Sequence, residues 1–339
     1  MGKRMTNGIF ATVGILLLIM DSRTALMGAQ SAVTLCVSSV IPSLFPFLVL
    51  SGMLTSVING ANLRILRPLS QLIGIPAGTE GIFLTGILGG YPTGAQAVYQ
   101  AWQKGQLPKD EATRMLSFCS NAGPAFIFGI LGTKFTYNWI PWLLWGIHIL
   151  SAIAVAVMLP RSQYITRELP LSSPVSITES LKTAVTTMGY ICGWIILMRV
   201  VLTFLDRWVL WLLPMEARVG IYGMLELTNG CCSADTVSLQ GLRFVLCSTM
   251  LAFGGICVVM QTSSVTGKLG IRQYLRGKVI QAVISFLLSS TIQMFMFNNS
   301  EQVQISPYLL PIFLLVILIY RVILQKNEKK SSNSAFIGV

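Results

Sequence analysis

Apolar runs recur along the chain at about 7–20, 36–57, 138–159, 184–205, 278–297 and 307–325. A helix needs roughly 20 such residues to cross the hydrocarbon core of a bilayer, so these runs predict membrane spans. Four further apolar segments are interrupted: 79–103 at GGYPTG, 111–134 at CSNAGP, 217–240 at LTNGCC and 241–267 at AFGG. Gly and Pro weaken a helix, and Pro also removes a backbone donor. Irregular backbone at membrane depth is tolerated where it is buried in protein or lines a polar cavity. The breaks therefore predict an internal site, with packing kinks in ordinary spans as the plainer alternative. Their order repeats: span, loop, broken segment, broken segment, span. This divides the chain into repeat 1 over 36–159 and repeat 2 over 184–297, joined by a cytoplasmic linker over 160–183. Around them stand an N-terminal helix and amphipathic segment (1–35), a C-terminal transmembrane helix (298–325) and a polar cytoplasmic tail (326–339). The stretch 21–35 reads as an amphipathic helix on the outer surface.

Composition sharpens this picture. Of the 339 residues, 53% are hydrophobic and 11% charged, against about 25% charged in a soluble domain. The net charge of +12 therefore marks loops on one side of a membrane, with no nucleic-acid partner expected. If the first broken segment of each half is a re-entrant hairpin and the second a broken crossing helix, each half crosses three times and the halves are inverted. Of the 24 Lys and Arg, only Arg23, Lys134, Arg199, Arg207, Arg218 and Arg243 then fall outside; the other 18 fall inside. The positive-inside rule favours that arrangement, with both termini cytoplasmic. The basic, apolar N-terminus also fits a signal peptide, but no small-x-small cleavage site follows, which favours an uncleaved first helix. Seven cysteines show neither a disulfide framework nor a zinc-ligand spacing.

The breaks also suggest chemistry. Half-helices would begin after Thr93, Asn121, Gly230 and Gly255. Such N-termini carry partial positive charge and free amides, so their convergence favours an anionic group. The candidate substrate-binding residues are Gly90, Tyr91, Pro92, Thr93 and Gly94 at the first break and Ser120 and Asn121 at the second. Glu226, Thr228 and Asn229 join them at the third, and Gly255 and Gln261 at the fourth. Glu226 stands out because an ionisable residue inside a membrane is costly and by default functional; a shallow, water-facing Glu is the alternative. Asp235 reads as reaching water. Arg199 reads as snorkelling outward or facing the site, and His148, the single histidine, as packing. No Ser/His pair, metal cluster or HExxH motif is visible, so no enzyme and no bound metal are expected.

The pieces IPSLFPFLVLSGML, GGYPTGA, LSFCSNAGPAFIFG, ELTNG and AFGGICVVMQT resemble the sporulation integral membrane protein family of the YlbJ type, which carries the nucleoside-recognition or Gate domain. The resemblance covers about 36–297. It implies an all-α polytopic fold of two inverted repeats, each with a re-entrant hairpin and a broken helix, similar to concentrative nucleoside transporters. It further implies a spore-forming bacterium, the forespore outer membrane and movement of dipicolinic acid, a small dianion. The competing readings are a nucleoside or nucleobase carrier and a non-transporting sporulation scaffold. The expected partners are the lipid bilayer and a small-molecule substrate, with oligomerisation left open. No cofactor is expected beyond a coupling proton or sodium ion.

Overall fold

A computed structural model describes residues 2–58, 63–160 and 175–297. The C-terminal span and tail expected over 298–339, and residues 161–174 of the linker, lie outside these. The described residues form fifteen α-helices and no strand. They are α1 (Gly2–Met20), α2 (Ser22–Leu35), α3 (Ile41–Ile58), α4 (Arg67–Ile73), α5 (Glu80–Leu88), α6 (Thr93–Gln103), α7 (Lys109–Cys119) and α8 (Pro124–Gly129). They continue with α9 (Ile140–Met158), α10 (Ile177–Trp208), α11 (Met215–Leu225), α12 (Leu227–Cys232), α13 (Gln240–Phe253), α14 (Gly255–Thr266) and α15 (Arg272–Met296). Among the described residues five helical stretches are long and apolar enough to cross a bilayer: Ser22–Ile58, Ile140–Met158, Ile177–Trp208, Gln240–Leu269 and Arg272–Met296. Leu26, Val37, Leu50, Leu54, Trp142, Leu150 and Leu197 are exposed on them, as suits side chains facing lipid. The chain is a polytopic integral membrane protein, all-helical over the described residues.

Two local expectations are corrected. Residues 21–35 do not form a separate surface helix, because nothing breaks the backbone between α2 and α3. A π-turn at Cys36–Val40 joins them into one helix of 37 residues, and α2 packs along α10. Gly28 makes that approach close: a Cβ there would lie 2.7 Å from Thr203 Oγ1. The helix expected from 184 begins at Ile177, because Ser176 caps it by accepting from the Glu179 amide at 3.3 Å.

Between the long helices lie short ones. The arms α5 and α6 have 9 and 11 residues, about 14 and 17 Å at 1.5 Å per residue, well short of a bilayer core of about 30 Å. They pack on each other and on α7; α11 and α12 do the same against α13. Glycines set both hairpins. A Cβ at Gly86 or Gly94 would overlap the Cys119 carbonyl, and one at Gly223 or Gly230 would overlap the opposite arm or Met250. The packing is also reciprocal: α7 lies against α15, and α13 against α9. One apolar core, around Phe126, Ile140, Phe244 and Leu251, lies toward one end of the bundle. The other, around Ile73, Phe83, Met115 and Tyr274, lies toward the opposite end.

Polar links tie each end. At one, Lys134 pairs with Asp235 at 2.7 Å, and Arg243 donates to the Lys134 carbonyl at 2.8 Å and the Val237 carbonyl at 2.7 Å. At the other, buried Arg114 pairs with buried Glu111 at 2.8 Å and donates to the carbonyls of Ile73, Gly74 and Ala156.

Candidate functional site

The backbone opens at Gly89–Pro92, Ser120–Gly123, Glu226 and Gly254; the first three openings line one cavity of about 80 Å³, and α14, which follows the fourth, also reaches it. Gly90 and Tyr91 line it from the first, Ala122 and Gly123 from the second, Glu226 and Thr228 from the third, and Val258 and Gln261 from α14. Phe47, Leu48 and Ile195 complete an otherwise apolar wall. Gly90 adopts φ +75° and Gly254 φ +84°, backbone that favours glycine. Gly90 and Gly123 meet backbone to backbone: a Cβ on Gly90 would lie 3.1 Å from the Gly123 nitrogen.

Five of the twelve sequence-predicted residues therefore line this cavity: Gly90, Tyr91, Glu226, Thr228 and Gln261. Pro92 and Thr93 face two neighbouring pockets instead. One of these, about 580 Å³, shares Ile191 and Gln261 with the cavity and is lined by Gln96, Lys182, Thr183, Thr187 and Ser264. The next shares Gln96, Thr183 and Thr187 with it and reaches Lys104. A hydroxyl- and amide-lined vestibule thus runs between α3, α6, α10 and α14 to the cavity.

The remaining five turn away. Gly94 packs on Cys119, and Gly255 on the Gly223 carbonyl, where a Cβ would lie 2.9 Å away. Ser120 is buried beside the Tyr274 hydroxyl. Asn121 donates back to the Phe118 carbonyl at 2.7 Å, closing the end of α7 instead of capping α8; that helix starts at Pro124. Asn229 bonds Glu226 through its side-chain amide at 2.8 Å.

The third half-helix begins at Leu227, not after Gly230, because Glu226 is its N-cap. The Glu226 carboxylate accepts from the Thr228 amide at 2.9 Å and the Asn229 amide at 2.6 Å. It lies on the cavity wall with its oxygens already occupied. Asp235 is half exposed in its pair with Lys134. Arg199 donates to Ser31 Oγ at 3.2 Å, on the α2 side of α10, away from the cavity. Buried His148 accepts the Ala122 amide at 2.9 Å, so it props open the second break.

Lys278, counted among the inner loop charges by sequence, is instead fully buried in α15. Its ammonium donates to Gln281 Oε1 at 2.7 Å, Tyr91 Oη at 3.0 Å and Asn121 Oδ1 at 3.5 Å. Gln281 in turn donates to Asn121 Oδ1 at 3.1 Å and the His148 carbonyl at 3.3 Å. Gly277 brings α15 close enough for this: a Cβ there would lie 2.5 Å from the Ser117 carbonyl oxygen.

In sequence, the chain is 27% identical over 280 residues to Sporulation integral membrane protein YlbJ of Bacillus subtilis (strain 168). The match covers 69% of this chain and 68% of that protein. The YlbJ-type resemblance holds. No family model matches the chain, and no solved structure matches it. Two of the motifs that carry the YlbJ-type resemblance, GGYPTGA and LSFCSNAGPAFIFG, meet at Lys278 through Tyr91 and Asn121.

The signal for Lys278 was present in the sequence. Tyr274, Lys278, Gln281, Ser285, Ser289 and Gln293 recur on one face of α15, and all are fully buried. Val279, Val283 and Phe286 face outward. A polar stripe of helical period inside an apolar span turns inward in a membrane protein.

Proposed function

We propose that this chain is a membrane carrier for a small anionic solute, working by alternating access to the cavity between the broken segments. The observation that carries this reading is the convergence itself. Three separate segments open their backbone against one cavity that α14 completes, and a polar vestibule leads there from the end bearing Lys104 and Lys182. The start of α8, at Gly123 and Ala125, lies on the cavity wall, and the amides of a helix start favour negative charge.

The reading takes the halves as inverted repeats. In support, each hairpin closes on paired glycines, Gly86 with Gly94 and Gly223 with Gly230, and grips the following broken helix near its end, at Cys119 and at Met250. The reciprocal packing of α7 on α15 and α13 on α9 suits the same symmetry. Taking the Lys104 end as cytoplasmic, by the positive-inside rule, the vestibule opens inward while the Lys134–Asp235 and Arg243 links close the outer end.

The relative's name points to sporulation, and the YlbJ-type resemblance points to dipicolinic acid at the forespore outer membrane. Dipicolinate fits the anionic preference argued from the helix ends. Accumulation is assigned to a coupling proton or sodium ion. The test is uptake of labelled dipicolinate and a nucleoside panel into proteoliposomes, with and without proton and sodium gradients. Saturable, gradient-dependent dipicolinate uptake is expected, lost in Gly90→Val, whose side chain would meet Gly123 and a disfavoured φ. Uptake of nucleosides and not dipicolinate overturns the substrate; no uptake of any solute overturns the carrier.

A further inference from the structure

One side chain behind the cavity wall stands a cation with no carboxylate beside it. Among the described residues Lys278 forms no ion pair, and its three partners are neutral. The direction of each bond is fixed by the others. Tyr91 gives its single hydroxyl proton to the Leu251 carbonyl at 3.2 Å, so it accepts from Lys278. Asn121 Nδ2 and Gln281 Nε2 both donate elsewhere, so each presents its oxygen. Three acceptors meet three N–H groups, the complement of an ammonium. The Tyr91 and Tyr274 rings lie 5.0 and 5.8 Å from the Nζ atom, within cation–π range.

The other titratable groups in this neighbourhood, Tyr274, His148 and Cys119, are not carboxylates. Glu226, the one carboxylate on the cavity wall, is engaged by the first turn of α12. A buried charge without a counter-charge is strongly unfavourable, and an intramembrane charge of this kind marks a ligand path.

We propose that Lys278 is the residue that binds the negative charge of the solute, a carboxylate taking the place of the Tyr91 hydroxyl as its third acceptor. Tyr91 suits this exchange because it both covers Lys278 and lines the cavity. Its ring rests on Gly254, where a Cβ would lie 3.2 Å from Cζ. Turning this one side chain, at the tip of a hairpin, exposes the ammonium. Replacing the neutral acceptor by a carboxylate makes both partners of the bond ionised and supplies the counter-charge that the buried ammonium lacks. The assignment rests on the carrier reading above and names the charge that its solute meets.

The test uses the full chain in lipid nanodiscs and two probes of the same shape, pyridine-2,6-dicarboxylate and its neutral diamide, titrated by calorimetry. Wild type is expected to prefer the dicarboxylate by at least about tenfold, equivalent to about 1.4 kcal/mol. Lys278→Gln, which keeps a donor but not the charge, should bind both probes alike; Lys278→Arg should keep the preference. Tyr91→Phe removes the competing acceptor and should tighten dicarboxylate binding about three- to tenfold. Discrimination undiminished in Lys278→Gln overturns this assignment alone and leaves the anion carrier standing. A wild type that binds neither probe overturns the anionic reading and the assignment together. Should Lys278→Gln fail to fold, Tyr91→Phe decides: dicarboxylate affinity unchanged or weakened overturns the assignment.

Discussion

Two buried cations adjoin α7, Arg114 at its middle and Lys278 just past its C-terminal end, and the two are held in different ways. Arg114 has its carboxylate, Glu111, one turn away, and carbonyls from α4, the following Gly74 and α9 take its other protons. At the C-terminal end Lys278 meets a phenol and two amides. Charge and counter-charge are both built into the first site, which fastens three helices. In the second only the charge is built in. A planar guanidinium suits a fixed, many-toothed clamp, while an ammonium on a flexible stem suits a partner that comes and goes. Burial alone does not distinguish a structural charge from a ligand-facing one; the identity of the partner does.

The comparison breaks or holds on stability measurements in mixed micelles. The largest effect is expected for Arg114→Met. It strands Glu111, which is 1% exposed, and should cost about 3–5 kcal/mol in denaturant-induced unfolding. Adding Glu111→Leu should recover most of that loss. Lys278→Met should behave oppositely. Tyr91 keeps its bond to Leu251 and Asn121 its bond from Gln281, so only Gln281 Oε1 loses its partner. That costs about 1–3 kcal/mol, against several for desolvating the charge, so Lys278→Met should unfold no earlier than wild type. A loss like that of Arg114→Met would make Lys278 a second clamp. The smallest effect sharpens the contrast with a third buried charge. Glu226 is held by the amides of its own helix start, so Glu226→Gln should cost about 1 kcal/mol, read in the same unfolding assay. A loss above about 3 kcal/mol would place Glu226 with Arg114 as a charge whose removal strands a partner.

Much of this architecture was legible in the chain. The long spans announce themselves by apolar length, and three of the four openings fall where Gly and Pro cluster, because both effects are local; the third opens at Glu226, ahead of the LTNGCC run, which is helical. What escaped depends on neighbours distant in sequence. Ser22–Leu35 looks like a surface helix until α10 covers it. Glu226 looks like a free acid because Glu is an uncommon cap; the fold instead lets it reach two amides of its own first turn. Asn121 looks like a cap and serves instead as a bracket between α7 and α15. Lys278 looks like one more loop charge among Lys268, Arg272 and Arg276, and only its phase with Tyr274, Gln281 and Ser285 distinguishes it.

The contact between Gly90 and Gly123 has a mechanical consequence. Helices that interlock by side chains settle into discrete registers, since ridges must climb out of grooves to move. A buried leucine makes some 40–60 atomic contacts, each contributing about 0.1–0.2 kcal/mol; two glycines meeting through backbone offer only a few. The first hairpin is therefore toothed where Gly86 and Gly94 clasp Cys119 and smooth at its tip. Such a joint glides without rotamer barriers, and its friction is set by the arms that carry it.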